Sequence, residues 1–297
     1  MSEMKKQVVS RCHKLNHANG ADVLITILMT VLAIIVLYPF YNAVLLSIVP
    51  QHEYLRTPFM LWPKTIDLTS YAYIFNAGTI LSGMKVTVVI LVLGVLYNMT
   101  LTVLTAYAMT KPYPGRKLIN ALIIFTMYFG GGLIPFYLLI KDLGLIDSIF
   151  SMILPTGISF SYMIIIRRHF EAIPKELEES ASLDGASDLR ILWSLFLPLS
   201  LPILATFCLY YGVERWNEWW NGMLFIKSSY KQPLQLVLRN IINNAESVDD
   251  GTAIDAVVFG DGVKMAATVV TMVPIMCLYP FLQRYFVTGL TAGAVKG

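Results

Sequence analysis

Six stretches of apolar residues, each close to the length of a bilayer-crossing helix, constrain this chain more than any other feature. They run Val23 to Val49, Val86 to Met109, Leu118 to Ile140, Ile149 to Ile166, from between Ile191 and Pro202 to about Trp219, and Val263 to Phe286. A helix needs ~20 apolar residues to cross ~30 Å of hydrocarbon, and inside lipid it must satisfy its own backbone hydrogen bonds. The expected fold is therefore all-α, a polytopic membrane protein with six transmembrane helices. With 56% hydrophobic and 14% charged residues, the chain is too oily for a soluble globule. The expected organisation is an N-terminal tail over 1–22, six spans over 23–288 and a C-terminal tail over 289–297. Two connections matter, an inner one at about 171–197 and an outer one at about 220–262.

The first run is too long, and begins too late, for a cleaved signal peptide, so it reads as a retained helix. Lys111, Pro112, Pro114, Arg116 and Lys117 stop the second span. Gly130, Gly131, Gly132 and Pro135 interrupt the third, as small residues at a helix crossing or as a hinge. Pro198 and Pro202 kink the entry to the fifth, while Pro274 and Pro280 in the sixth are tolerable where neighbouring helices satisfy the freed carbonyls.

Basic residues set the orientation. With the N-terminus inside, the inner segments hold Lys5, Lys6, Arg11, Lys14, Lys111, Arg116, Lys117, Arg167, Arg168, Lys175 and Arg190. The outer ones hold only Arg56, Lys64, Lys141, Lys227, Lys231 and Arg239, the bias that the positive-inside rule requires. Both termini are then cytoplasmic.

Other chemistries are excluded by what the residues lack. A formal charge of +3 without a continuous basic stripe gives no nucleic-acid partner. Cys12, Cys208 and Cys277 are far apart, and His13, His17, His52 and His169 form no HExxH group, so no metal site or cofactor is expected in this chain. No Walker A motif is present, and the protein is read as no enzyme. Trp216, Trp219 and Trp220, at the expected outer end of span five, read as interfacial anchors or as lining of a sugar path. Glu214 is a further candidate for that path, although pairing and snorkelling with Arg215 is the plainer reading. The outer connection has no strong apolar pattern, and a loop of that size has a partner to meet or a pore to cover, while its carboxylates Glu246, Asp249, Asp250, Asp255 and Asp261 read as a solvated face.

The connection between spans four and five carries the most information. Pro174 and the acidic residues Glu176, Glu178 and Glu179 suit a helix start, and Gly185 suits its end. Leu177, Ala181 and Asp184, flanked by Ser180 and Leu183, give a narrow small-and-apolar face on an otherwise charged helix. Its negative charge disfavours anionic lipid, so the face asks for a protein socket.

From Glu179, Ser180 and Ala181, through Gly185, to Leu195, Leu197 and Pro198, the segment resembles the EAA motif of importer-type ABC permeases. Pro174 to Glu178 and Asp184, Gly185, Ala186 resemble the form found in carbohydrate importers of the MalG type. Ser180 stands where that family has Ala, and Leu195 where Ile is common. The resemblance extends over nearly the whole chain and implies the type I (MetI-like) importer fold. It implies that Leu177, Glu179, Ser180, Ala181, Asp184, Gly185, Ala186 and Pro198 couple the permease to an ATPase. It also implies the partners: a second, different permease, a cytoplasmic ATPase dimer using ATP and Mg, an external solute-binding protein, and a sugar or oligosaccharide. The Gly130 to Pro135 form resembles the branch importing larger oligosaccharides, including uronate-containing ones. An ion-coupled secondary transporter is the alternative, though it predicts a repeat and a first-half carboxylate that are not seen.

Overall fold

The computed structural model describes residues 20–57, 60–248 and 260–294, and every regular element among them is helical. Residues 1–19 of the expected tail over 1–22, with His13, His17, Cys12 and the four N-terminal basic residues, and 295–297 of the expected tail over 289–297 lie outside the described residues.

Helix α1 (Gly20–Ser47) is the first span and runs through Pro39. Two short helices, α2 (Gln51–Arg56) and α3 (Thr69–Asn76), fill the next connection. Glu53, buried on α2, accepts from the Lys64 and Thr65 amides and the Thr65 hydroxyl. Those bonds, the Lys64 amide first, hold its carboxyl below the ordinary range. Helix α4 (Thr79–Ala108) starts earlier than the expected Val86. Its first two turns are too polar for a hydropathy boundary, yet Ile80 is fully buried in them.

The third span is sharply bent. Helices α5 (Arg116–Tyr128) and α6 (Leu133–Asp142) meet at 111°. Gly132 turns the chain at φ 93, and Pro135 has no amide to continue the earlier ladder. The close-crossing expectation for Gly130 and Gly131 is overturned among the described residues, since a Cβ on either would meet nothing within 4 Å.

The fourth span is α7 (Phe150–Ile153), continued as a tight turn to Thr156, and α8 (Phe160–Glu171), bent by 50°. Helix α9 (Lys175–Leu183) is the short connection helix. Then α10 (Asp188–Ile191), a π turn over Leu192–Phe196 and α11 (Leu197–Leu199) lead to α12 (Leu201–Trp216). The bend between those two parts is 87°, and it falls between Pro198 and Pro202, as expected. Helices α13 (Trp220–Phe225) and α14 (Leu234–Val248) precede α15 (Gly260–Ala294). Pro274 and Pro280 lie within α15, which continues into the stretch expected as a C-terminal tail. By length and composition, α1, α4 and α15 can cross a membrane, and counting each bent pair as one span gives up to six.

Helix α4 is the axis: α8, α12 and α14 pack along it, while α1 packs on α15. At one end the core is aromatic, with Phe196 edge-on to Tyr107 at 5.0 Å and to Phe170 at 5.4 Å. At the other end Ile74, Ile80, Leu234 and Val263 close a second cluster.

The expectation that 220–262 lacks a strong apolar pattern is overturned. Leu234, Val237, Leu238 and Ile241 recur at helical spacing, and α14 buries that face against α4 and α15. Gly83 permits the approach, because a Cβ there would sit 3.2 Å from the Leu234 backbone, and the Leu234 amide donates to Thr87 Oγ1 at 2.8 Å. Of the acidic residues, Asp261 pairs with Lys264 at 3.4 Å, while the side chains of Glu246, Asp249, Asp250 and Asp255 lie outside the described ones. Asp147 ties the connection down by accepting from the Lys227 and Ser228 amides, the Ser228 hydroxyl and Lys231. Those bonds, led by the Ser228 amide, hold its carboxyl well below the usual range.

Candidate functional site

The segment that resembles a coupling motif forms a helix for the reasons read from its sequence, with one adjustment. Pro174 is the N-cap, at ψ 129, and Lys175 the first helical residue. Glu176 and Glu178 occupy the first turn, where the helix dipole favours negative charge. At the other end the Ala186 amide donates to the Ala181 carbonyl and the Gly185 amide to the Ser182 carbonyl, with Gly185 at φ 80. That is a Schellman stop, with glycine at the left-handed position.

One side of α9 is held by its own chain. Glu178 forms an ion pair with Lys111, which also reaches Asp188 at 3.0 Å and lies over the Tyr107 ring at 4.8 Å. Burial works against the Lys111 charge, but Glu178, the Tyr107 hydroxyl and Asp188 together push its pKa up. Arg116 and Arg167 bind Glu171 at 3.4 and 2.9 Å, fixing the foot of α8 beside the clamp. Ala181 and Ala186 pack against the aromatic core of the same chain. Ala181 is therefore turned toward the bundle, and the narrow outward face expected from Leu177, Ala181 and Asp184 is split.

The remaining side is open. Leu177, Glu179, Ser180, Asp184 and Gly185 are exposed, and Pro198 is exposed where the chain turns into α12. Leu183 is 89% exposed and Trp193 70%, and Leu189 is exposed between them. Exposed leucines and a tryptophan in a connection rich in charge make an apolar contact surface about one short helix wide. Sequence reading passed over Leu189, Trp193 and the Lys111 clamp. An apolar residue flanked by Asp188 and Arg190 was the available signal for Leu189; nothing local signals a partner 67 residues away.

The second group lies deeper in the bundle. Arg215 is 4% exposed, so the expectation that it snorkels is overturned. Its guanidinium donates to the carbonyls of Met152, Ile153 and Thr156 at 2.6, 3.3 and 3.0 Å, and to Asn98 Oδ1 at 2.8 Å. Asn98 Nδ2 donates to the Thr156 and Gly157 carbonyls, and the Ser159 amide donates to the Tyr211 hydroxyl, itself 2.7 Å from Thr102 Oγ1. The break in span four strands the last carbonyls of its first half, and of these residues Met152 and Ile153 are buried. Arg215 supplies the donors. Gly94 makes room, since a Cβ there would lie 2.8 Å from Arg215 Nε.

Glu214, one residue earlier, does not pair with Arg215. It is exposed and accepts from Tyr162 Oη at 2.6 Å. Trp216 is 6% exposed, packs in the far cluster and has no hydrogen-bond partner for Nε1 among the described residues. The interfacial-anchor reading fails for it, because both ring and N–H are buried. Trp219 lies under the Arg239 guanidinium at 4.2 Å and edge-on to the exposed Trp220. The candidate path residues thus divide: Glu214 and Trp220 are open, Trp219 is stacked and Trp216 is core.

No protein-family model matches the chain. Among curated proteins it is similar to protein LplC of Bacillus subtilis, 40% identical over 266 residues, covering 89% of this chain and 90% of that one. It is also similar to the polygalacturonan/rhamnogalacturonan transport system permease protein YtcP of Bacillus subtilis, 38% identical and covering 93% and 98% of the two chains. Among solved structures it resembles a chain of a bacterial ABC transporter involved in import of the acidic polysaccharide alginate. The TM-score there is 0.82 at 30% identity, over 91% of this chain and 99% of that one.

Proposed function

Because this chain belongs to the permease subunits of binding-protein-dependent sugar ABC importers, we propose that its open α9 surface receives the drive and its α8–α12 face lines the sugar path. The protein is a multi-pass membrane protein that works with a second permease, ATPase subunits and a solute-binding protein. The ion-coupled alternative falls with that membership.

Closure of an ATPase dimer on ATP and Mg would draw in α9, which rests on Leu177, Leu183 and the exposed side around Glu179. The pull passes through the Lys111–Glu178 clamp into α4 and through the Gly185 turn into α10. A bundle with two discrete packings then rocks between inward- and outward-facing states. ATP chemistry belongs to the partner, and this chain supplies path and lever. The observation that carries the reading is a short helix clamped on one side and apolar and exposed on the other. The test is hydrolysis by the reconstituted complex: sugar-loaded binding protein should stimulate it, and removing residues 175–183 should abolish that stimulation and release the ATPase. Full stimulation by the shortened chain would overturn the assignment.

The α9 end is placed in the cytoplasm, with both termini, on the bias of basic residues. In a chain freed of its native cysteines, impermeant thiol reagents added to intact cells should label cysteine at 56 and 246 and leave 116 and 179 unlabelled. Strong labelling at 116 would reverse the orientation.

A further inference from the structure

Glu214 occupies an unusual place for a carboxylate. It is bonded to Tyr162, which lies about nine residues before Glu171 at the foot of α8, or ~13 Å along the helix at roughly 1.5 Å per residue. The neighbouring Arg215 reaches Asn98, about ten residues before Ala108 at the same end of α4, or ~15 Å by the same rise. Two independent rulers thus put Glu214 near the middle of a ~30 Å hydrocarbon layer. An exposed carboxylate at that depth does not face lipid, and on the α8–α12 face proposed to line the path it meets water.

Helix α12 has two faces there. Cys208 and Gly212 lie on an uncharged groove of about 640 Å³ shared with Leu91 and Val95 of α4, suited to lipid or a neighbouring helix. Tyr210 and Glu214, also one turn apart, lie on the other side. Tyr162 stacks on Tyr210 at 5.6 Å and 25°. The result is a ledge of two parallel aromatic rings with a carboxylate beside it.

We infer that the ledge of Tyr162, Tyr210 and Glu214 is a mid-membrane subsite for a neutral sugar unit of the transported chain. Aromatic rings offer apolar area to the C–H face of a pyranose, and an ionised carboxylate is an acceptor only, so it selects groups that donate. Sugar hydroxyls donate. A uronate at the same position would bring a second carboxylate against Glu214, and Arg215 is turned away to bind Asn98 and the span-four carbonyls, so it offers that second carboxylate no direct ion pair. This inference rests on the reading that the α8–α12 face lines the path, and it specifies what passes there.

The test uses the whole complex in proteoliposomes, with binding protein loaded with one of two radiolabelled probes of equal length: a neutral hexose oligosaccharide or an oligogalacturonate. For the neutral probe, Glu214→Gln and Tyr210→Ala should each lower maximal uptake about tenfold, the scale of one hydrogen bond to a charged group. The binding-protein concentration giving half-maximal rate should not change, because docking is remote from the ledge. Glu214→Asp should recover part of the rate. The galacturonate probe should pass no more slowly through Glu214→Gln than through the native complex. Wild-type uptake of the neutral probe by Glu214→Gln, or native uptake of the galacturonate probe alone, would overturn the subsite. A native complex importing neither probe would instead count against the path reading itself.

Discussion

Arg215→Met is expected to lower the yield of folded permease severely and to cut coupled uptake by about 100-fold or more. The variant leaves the Met152 and Ile153 carbonyls and Asn98 Oδ1 without their side-chain donor, and the Thr156 carbonyl with Asn98 Nδ2 alone. Each buried group left unsatisfied costs about 1–3 kcal/mol, and three such losses, about 3 kcal/mol or more, exceed the ~2.7 kcal/mol that corresponds to 100-fold. Replacing a buried ion pair with apolar residues can be neutral when both partners go, but backbone carbonyls cannot be removed. Lysine tests the geometry, because one ammonium cannot reach the span-four carbonyls and Asn98 together as a planar fork can. Thermal melting in detergent should rank wild type, Arg215→Lys and Arg215→Met in descending order, with Asn98→Ala below wild type too. A methionine variant that melts and transports like wild type would show that the broken span holds its shape unaided.

Gly185→Val should leave insertion near normal while lowering sugar-stimulated hydrolysis and ATPase retention about tenfold or more. At φ 80, a residue with a β-carbon is strained by ~1–2 kcal/mol, and a β-branched one more. A Cβ at this position would meet nothing within 4 Å, so the cost inside this chain is conformational and not a clash. Asparagine, which tolerates the left-handed region, should therefore restore most of the coupling that valine loses, with alanine between them. Glu179→Ala should do less than Gly185→Val, because Glu179 is exposed with no hydrogen bond or ion pair among the described residues. If asparagine and valine fail equally, the glycine matters for contact with the ATPase and not for the turn. If valine couples normally, the Gly185 turn is not the mechanical joint.

What depends on one residue and its near neighbours was legible along the chain. Hydropathy and length located the six apolar runs, since the cost of placing backbone in lipid is set locally. Pro198 and Pro202 marked the bend before α12, and Gly185 marked the end of α9, because proline and glycine act through their own dihedrals. The α14 pattern was equally local but sat inside a segment too polar overall to draw attention. Tertiary structure alone decided the rest. Sequence could not show that the Gly132 turn reaches 111°, or that Trp216 is core while Trp220 is open, because both follow from which helices pack beside them. Nor could it turn Arg215 from a surface pair into the cap of a broken helix, because its acceptors lie 59 to 63 residues before it on span four and 117 before it on α4. The charge on Arg215 was legible in the sequence, but its role came from carbonyls that a break in another segment had stranded.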